Sequence, residues 1–203
     1  MNYVFYLLGM IVSSLGIICF IQADVGVGTT DSVAIGLSSH IPVTVGIGMM
    51  FIHIIVISLN TFLSKTRPEL FVFVPILLRG VTVDFWNYII PDLQLEFLLF
   101  RWLLLVVGLV LMGVGLGMYL HTSLPKIPVD DLIKTLMRKN HWSLRVNRIM
   151  YEFSLLFTGF ILGGPIGIGT FVISLCLGPS IQFFYQRMEN IRPLFNRDKA
   201  YGI

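Results

Sequence analysis

The chain has 203 residues, 56% of them hydrophobic and only 12% charged, with a formal net charge of +3. A soluble domain carries roughly a quarter charged residues, so this composition excludes a water-soluble protein and indicates a single transmembrane domain over residues 1–203. The slight positive charge gives no reason to expect nucleic acid as a partner, and the lipid bilayer is the partner that the composition requires.

Six apolar segments are predicted to cross the membrane as helices. A span takes about 20 apolar residues, and six segments reach that length: 4–23, 41–63, 70–90, 97–120, 143–163 and 167–186. Most of the 14 Lys and Arg residues lie after the second segment, after the fourth, and in the tail, 187–203. Because basic residues favour the cytoplasmic side, we expect a multi-pass protein of the cell (inner or plasma) membrane with both termini in the cytoplasm.

The first three segments resemble the last three. When the sequence is shifted by 99 residues, and by 98 near the end of each copy, similar residues coincide. The coincident pairs include Gly9 and Gly108, Gly16 and Gly115, Asp31 and Asp130, Thr44 and Ser143, His53 and Glu152, Gly80 and Gly178, and Asp84 and Gln182. Each copy holds an odd number of spans, so the second copy must be inverted. The predicted fold is an all-α membrane protein with two inverted three-helix repeats, over about 4–90 and about 97–186.

A short extra helix is predicted between the first two spans of each repeat, over 29–39 and 129–139. In each copy an acidic residue is interpreted as the helix N-cap, and the glycines or prolines before it let the chain turn back. Two interpretations remain open: an amphipathic helix lying on the bilayer, or a half-helix dipping into the membrane with its positive N-terminus toward a substrate. The residues of these motif loops are Asp24, Gly26, Gly28, Asp31 and Asp130.

Charged and polar residues inside the spans define the candidate site. A charge at the bilayer centre costs about 2.5–3.5 kcal/mol on insertion scales, so each one needs a partner or a function. Helical spacing places these groups on faces that are expected to point inward, between the repeats. On the sixth span this polar stripe contains Ser174, Gly178, Gln182 and Tyr185. The candidates for a substrate or proton pathway are His53, Asn60, Arg79, Asp84, Glu152 and Gln182.

Two specific contacts are expected within this site. Arg79 is predicted to pair with Glu152 or Asp84, and Glu152 is the better candidate because Arg79 and Asp84 point about 140° apart on one helix. His53 and Glu152 occupy equivalent positions in the two repeats, so we expect them to face one cavity, where a His and a carboxylate can relay protons. The alternative is structural: Arg79 and Glu152 neutralise each other, and His53 bonds a backbone carbonyl.

No pattern in the chain indicates catalysis. It contains no His-Glu-x-x-His run, no Gly-x-Ser-x-Gly and no phosphate-binding loop. Cys19 and Cys176 lie in apolar runs and are interpreted as small hydrophobic residues rather than a disulfide or metal pair. We therefore expect no enzyme, no cofactor and no metal site.

Several segments resemble a known family. Ala23-Asp24-Val25-Gly26-Val27-Gly28-Thr29-Thr30-Asp31 is similar to Ala-Asp-Leu-Gly-x-Gly-Pro-Trp-Asp of the bacterial YczE/YyaS-type membrane proteins, relatives of the YitT group. Matching segments also occur at Thr44-Val45-Gly46, Gly167-Ile168-Gly169-Thr170 and Gly178-Pro179. The chain departs from the family where Thr29-Thr30 replaces Pro-Trp, although Pro128 keeps part of the motif before Asp130. The resemblance implies a bacterial inner-membrane protein, and it supports the fold more than any particular activity.

Two functions from different classes remain open. The ionisable residues inside the spans favour a small secondary transporter or exporter with a polar midplane site between the inverted repeats. The small size and the lack of a recognisable substrate motif favour a non-transporting membrane protein that supports or regulates a partner protein. The sequence names neither the small-molecule substrate nor the membrane partner.

Overall fold

A computed structural model describes residues 2–67, 70–122 and 124–195, and within these ranges the chain is helical, with no strand. The six predicted spans correspond to α1, α3, α4, α5, α7 and α8, and the two predicted short helices are confirmed as α2 and α6. The helices are α1 (Asn2–Ala23), α2 (Thr29–His40), α3 (Val45–Ser64), α4 (Phe73–Ile89, preceded by a 3₁₀ turn, Leu70–Val72), α5 (Leu98–Leu120), α6 (Val129–Asn140), α7 (Leu144–Ile161) and α8 (Ile168–Phe195).

Five helices in the described part of the chain are long and apolar enough to cross a membrane: α1, α3, α4 with its preceding turn, α5 and α8. The remaining long helix, α7, has 18 residues but carries Arg145, Arg148 and Glu152, which lower its hydropathy. The protein is therefore an all-α membrane protein, as predicted. Length and composition alone do not mark α7 as a sixth span.

The last helix is longer than predicted. The sequence predicts that the sixth span ends at 186 and that a tail follows, whereas α8 is continuous to Phe195. Hydropathy marks where the apolar residues end, and Gln, Arg, Met and Glu after that point are good helix formers. The rest of the predicted tail, residues 196–203, lies outside the described residues.

Helices α1 and α5 pack antiparallel through glycines. A β-carbon on Gly9 would lie 2.6 Å from the carbonyl oxygen of Gly115, and one on Gly16 would lie 2.8 Å from that of Gly108. No side chain fits at these distances, so the two backbones are in direct contact, as in close helix pairs of membrane proteins. Around this central pair, α4 packs on α1 and α8 packs on α5.

The two short helices have different surroundings. Helix α2 lies between α3 and α7, and half of its residues are buried. Helix α6 also contacts α3 and α7, but it buries only Leu132 and Ile133, while Lys134, Arg138 and Lys139 are exposed. The separation of apolar and basic residues onto two faces, predicted for 129–139, is confirmed in α6. Helix α2, in contrast, is enclosed by other helices on several sides.

The glycine motif before α2 forms a turn against the connection between α7 and α8. Asp24 and Gly26 have φ angles of 49° and 120°. A β-carbon on Gly26 would lie 2.7 Å from a backbone nitrogen at the start of α8, so only glycine fits there. The carbonyl of Val25 accepts a hydrogen bond from the Gly169 amide at 2.8 Å, and the Asp24 carboxylate lies 2.9 Å from Arg101. The motif thus fixes where α2 begins.

The N-caps of the short helices differ from the prediction. Gly28 caps α2 and Pro128 caps α6, so Asp31 and Asp130 lie inside the helices, at the third and second positions. The prediction that these two residues are N-caps is wrong. Both side chains still belong to the first helical turn, where the unpaired N–H groups favour a negative charge.

Candidate functional site

Arg79 of α4 is buried at the centre of the bundle, with 8% of its surface exposed. Its Nη1 donates a hydrogen bond to Ser13 Oγ on α1 at 3.3 Å, and its Nη2 donates to Met112 Sδ on α5 at 3.6 Å. The predicted ion pair with Glu152 or Asp84 is wrong: among the residues that the structure describes, no carboxylate lies within 4.0 Å of this guanidinium. A hydroxyl and a thioether are weak partners for a buried cation.

Asp84 is engaged at the start of α3. Its carboxylate accepts hydrogen bonds from Thr44 Oγ1 at 2.6 Å and from the Gly46 amide at 2.8 Å. The Thr44 hydroxyl oxygen accepts in turn from the Ile47 amide at 3.2 Å, as an N-cap does. Free N–H groups at a helix N-terminus attract a carboxylate, which explains why Asp84 does not turn toward Arg79.

Glu152 of α7 connects the two short helices instead of neutralising Arg79. Its carboxylate accepts a hydrogen bond of 2.5 Å from Thr29 Oγ1, at the start of α2, and lies 3.6 Å from Arg148 Nε. Arg148 also reaches Asp130, at the start of α6, with an Nη1–Oδ1 distance of 3.1 Å. One turn of α7 therefore holds the N-termini of both α2 and α6.

Asp31 is a buried carboxylate that faces this centre from α2, with 8% of its surface exposed. It folds back on its own N-cap, since a β-carbon on Gly28 would lie 2.7 Å from Asp31 Oδ2. Burial raises the pKa of the Asp31 carboxyl to about 6. The Arg79 guanidinium opposes this increase, and the Glu152 carboxylate adds to it. Asp31 and Arg79 thus interact electrostatically over more than salt-bridge distance.

His53 of α3 is buried and bonds its own helix. Its Nδ1 lies 2.7 Å from the carbonyl oxygen of Met49. A carbonyl only accepts, so Nδ1 carries the proton and Nε2 is the ring nitrogen that can accept. Glu152 and His53 form no hydrogen bond with each other in the described ranges, and the expectation that both face one cavity stays a prediction.

Asn60 and Gln182 have separate surroundings. Asn60 Oδ1 accepts a hydrogen bond of 2.6 Å from Thr135 Oγ1, which links α3 to α6. Gln182 is exposed on α8, and the whole predicted inward stripe of that helix lies at the surface: Ser174, Gly178, Gln182 and Tyr185. The inward orientation predicted for this stripe is wrong. Helix α8 packs on α5 through the opposite residues, where Ser180 Oγ donates to the Leu109 carbonyl at 3.1 Å.

The structure thus places Arg79 against Ser13 and Met112, with the buried carboxylate of Asp31 within range of its charge. Sequence reasoning missed Ser13, Met112 and the role of Asp31. A serine in an apolar helix is a weak signal, and Asp31 belongs to a segment too short to count as a span. One signal was available: Ser13 and Met112 are separated by the repeat distance of 99 residues.

Comparisons with known proteins identify relatives along almost the whole chain. Residues 1–186 match a family model described as "Family of unknown function (DUF6198)". "Uncharacterized protein YyaS" of Bacillus subtilis (strain 168) is 31% identical over 179 residues, covering 88% of this chain and 89% of that protein. "Uncharacterized membrane protein YczE" of the same strain is 27% identical over 187 residues, covering 90% of this chain and 85% of that protein. No solved structure matches.

Proposed function

The chain belongs to the DUF6198 family and is related to YyaS and YczE, which confirms the resemblance seen in its sequence; from its geometry we propose that it is a small secondary transporter or exporter rather than an enzyme. In this proposal six helices, α7 included, span the cell membrane as two inverted repeats with both termini in the cytoplasm. The observation that carries it is the position of Arg79 between equivalent residues of the two repeats.

Contacts between α1 and α5 recur as an inverted repeat requires. If two residues touch across a two-fold axis, their counterparts in the other repeat must touch as well. Gly9 touches Gly115, and their counterparts at the 99-residue shift, Gly108 and Gly16, touch each other. Contacts between other helices follow the same rule. The contact of α4 with α1 corresponds to that of α8 with α5, and the contact of α2 with α7 corresponds to that of α6 with α3. These correspondences support two inverted repeats around an axis between α1 and α5.

In this proposal Arg79 lies where that axis passes. Its two acceptors, Ser13 and Met112, are counterparts of each other, so the guanidinium is placed symmetrically between the repeats. The matching position of repeat two is Leu177, so repeat two supplies no second arginine at the equivalent position. A guanidinium has five N–H donors and the two bonds to Ser13 and Met112 use only part of them. Ionisable residues inside membrane proteins typically mark substrate or ion pathways.

The groups around Arg79 support a site that a solute completes. Asp31 lies within range of its charge, yet forms no ion pair with it. A solute that offers an anionic or hydrogen-bond-accepting group would supply the strong partner that Arg79 lacks. Asp31 or His53 can then accept a proton as the solute binds or leaves.

The proposal is tested by solute release from proteoliposomes. Vesicles containing the purified protein are loaded with a small-molecule extract of bacterial cells, diluted, and the retained solutes are quantified by mass spectrometry. We expect at least one solute to be depleted with the wild-type protein and retained with Arg79→Gln. Arg138→Gln is the matched control, since it removes an arginine that is exposed on the surface of α6, and it should release the solute like the wild type.

If no solute is released by wild-type protein that is folded and correctly inserted, the transporter proposal is wrong. The alternative of a partner-supporting protein would then be pursued by identifying what copurifies with the chain. Thermal unfolding of Arg79→Gln shows whether its loss of release reflects the site or the fold.

A further inference from the structure

Helix α8 is the least enclosed of the five helices that are long and apolar enough to cross a membrane. Only 17% of its span is buried in the structure, compared with 28–50% for the other four. It packs on α5 through one face, on which Thr170 and Ile173 are buried, and most of its remaining surface is left to face the bilayer. That surface includes the stripe of Ser174, Gly178, Gln182 and Tyr185.

The stripe lies deep in the membrane. Gly178 is midway along the span Ile168–Met188, and Ser174 and Gln182 lie about one helical turn to either side of it. At about 1.5 Å per residue these two side chains are about 9 Å inside the ends of the span, where no water is available to hydrogen-bond them. Within the described residues neither side chain forms a hydrogen bond. Because an unpaired polar side chain in an apolar medium costs free energy, the stripe indicates a contact with protein rather than with lipid.

The equivalent face of repeat one packs on a helix. Gly80 and Asp84 of α4 are the counterparts of Gly178 and Gln182. A β-carbon on Gly80 would lie 2.8 Å from the Gly46 carbonyl oxygen of α3, and the Asp84 carboxylate accepts a hydrogen bond of 2.8 Å from the Gly46 amide. In this fold, a glycine followed one turn later by a polar side chain therefore forms a close helix contact.

Helix α7 cannot supply the same contact to α8. A β-carbon on Gly46 would lie 2.6 Å from the Asp84 carboxyl carbon, so the contact requires glycine at that position, and the counterpart of Gly46 on α7 is Arg145. Nothing lies within 4 Å of a β-carbon placed on Gly178, and Gln182 is exposed. The helix that covers the stripe is therefore not one of those in the described part of the chain, and a second molecule has to provide it.

We propose that a second copy of this chain covers the stripe, so that the protein is a two-fold symmetric dimer with α8 at its interface. Two copies inserted in the same orientation are related by an axis along the membrane normal, so α8 packs parallel to its own copy and each stripe residue meets itself. Gly178 then faces Gly178, which lets the two backbones approach closely. The Gln182 amide both donates and accepts, so the two copies of Gln182 can hydrogen-bond to each other.

The side chain of residue 182 favours a second copy over a different partner. In repeat one, the Asp84 carboxylate only accepts hydrogen bonds, and it meets donors on α3. An ionised carboxylate at position 182 would meet its own charge across the two-fold axis and be repelled, whereas an amide is self-complementary. The dimer depends on the exposed surface of α8 and not on the proposed transport function.

The test is disulfide cross-linking of the full chain in membranes. In a chain whose native Cys19 and Cys176 are replaced by serine, Ser174→Cys places a thiol on the stripe. The comparison is a chain in which only Cys19 is replaced, because Cys176 is exposed on the other flank of α8, about 160° around the helix from Gly178. Membranes are treated with copper phenanthroline and analysed on non-reducing gels. We expect Ser174→Cys to form a covalent dimer within a time in which Cys176 forms little or none.

Two substitutions on the stripe should weaken the dimer without disturbing the single chain. Gly178→Leu changes a position with nothing within 4 Å of its β-carbon, and Gln182→Leu changes an exposed side chain. Each should slow the cross-linking of Ser174→Cys by at least about threefold, because the first blocks the close approach of the helices and the second removes their hydrogen bonds. Phe183→Leu is the control, since Phe183 is 52% exposed on the same flank as Cys176, and it should leave the rate unchanged. Circular dichroism should show the same helix content in all three variants.

A measurement without introduced cysteines checks the number of copies. The wild-type chain, fused at its C-terminus to a fluorescent protein and diluted in lipid vesicles, should bleach in two steps, and the Gly178→Leu chain mostly in one. The inference is wrong if the wild type bleaches in one step, if Ser174→Cys and Cys176 cross-link at equal rates, or if neither stripe substitution slows the reaction. A cross-linked product whose mass differs from that of two chains would show that a different protein covers the stripe, and would also overturn the inference. None of these results depends on solute release.

Discussion

The glycine contact between α1 and α5 gives a prediction whose size follows from the structure. In Gly9→Ala the new methyl would lie 2.6 Å from the Gly115 carbonyl oxygen and 2.8 Å from the Tyr119 amide nitrogen, whereas ordinary contacts begin at 3.4 Å. Both neighbours are backbone atoms of a helix and cannot rotate away, so α1 and α5 must separate by about 0.8 Å. Overpacking of this kind costs about 1–3 kcal/mol.

Thermal unfolding of the purified protein in detergent measures this cost. For a chain of this length each kcal/mol lowers the midpoint by about 2–4 °C, so the expected decrease is about 2–12 °C. Leu8→Ala is the control, because it changes the adjacent residue of α1, whose side chain is exposed, and its midpoint should fall less. A Gly9→Ala protein as stable as Leu8→Ala would refute the close approach of the two helices.

Three further predictions concern polar contacts. The folded protein binds a proton at Asp31 more tightly than the unfolded chain does, because folding raises the pKa of this carboxyl to about 6. The protonated Asp31 therefore stabilises the fold fully below about pH 4, and this stabilisation is lost as the pH rises to about 6. The unfolding midpoint of the wild type should therefore fall over that interval relative to Asp31→Asn, and parallel pH profiles would contradict this. Thr135→Val removes the 2.6 Å bond to Asn60 and should destabilise the protein by about 1–3 kcal/mol, measured by thermal unfolding; an unchanged midpoint would show that α6 is not tied to α3 there. Tyr6→Phe removes the hydrogen bond to the Pro125 carbonyl and should speed hydrogen exchange at the amides of Leu124, Lys126 and Ile127. Equal exchange rates in the two proteins would refute this.

Most of the helices could be predicted because hydropathy and the internal repeat are read directly along the sequence and do not depend on how the helices pack. The apolar runs located α1, α3, α4, α5 and α8, and the glycine spacing revealed the correspondence between Gly9 and Gly108. The short helices were predicted because a turn motif and an acidic residue precede each. Their caps were misplaced, since Gly28 and Pro128 begin the helices without offering a side-chain oxygen.

The site could be predicted only in part because it depends on how each helix is rotated. Arg79 was identified from the cost of its charge, but its partners are set by the reach of a long side chain across two helices. Arg79 was expected to pair with Glu152 or Asp84, yet Asp84 accepts from the Thr44 hydroxyl and the Gly46 amide at the start of α3. The stripe on α8 was expected to point inward, although the apolar residues of this helix are spread around it and select no single face for packing.

Fusions of alkaline phosphatase and a green fluorescent protein to successive positions of the chain test most directly whether the second half is inverted relative to the first. The transport proposal requires this inversion, and it depends on α7 being a sixth span. We predict fluorescence, a cytoplasmic signal, after Arg67 and Met137, and phosphatase activity, an external signal, after Asp92 and Gly163. Cytoplasmic signals after both Met137 and Gly163 would show that α7 does not cross the membrane, and would contradict the inverted repeats together with the transport site built on them.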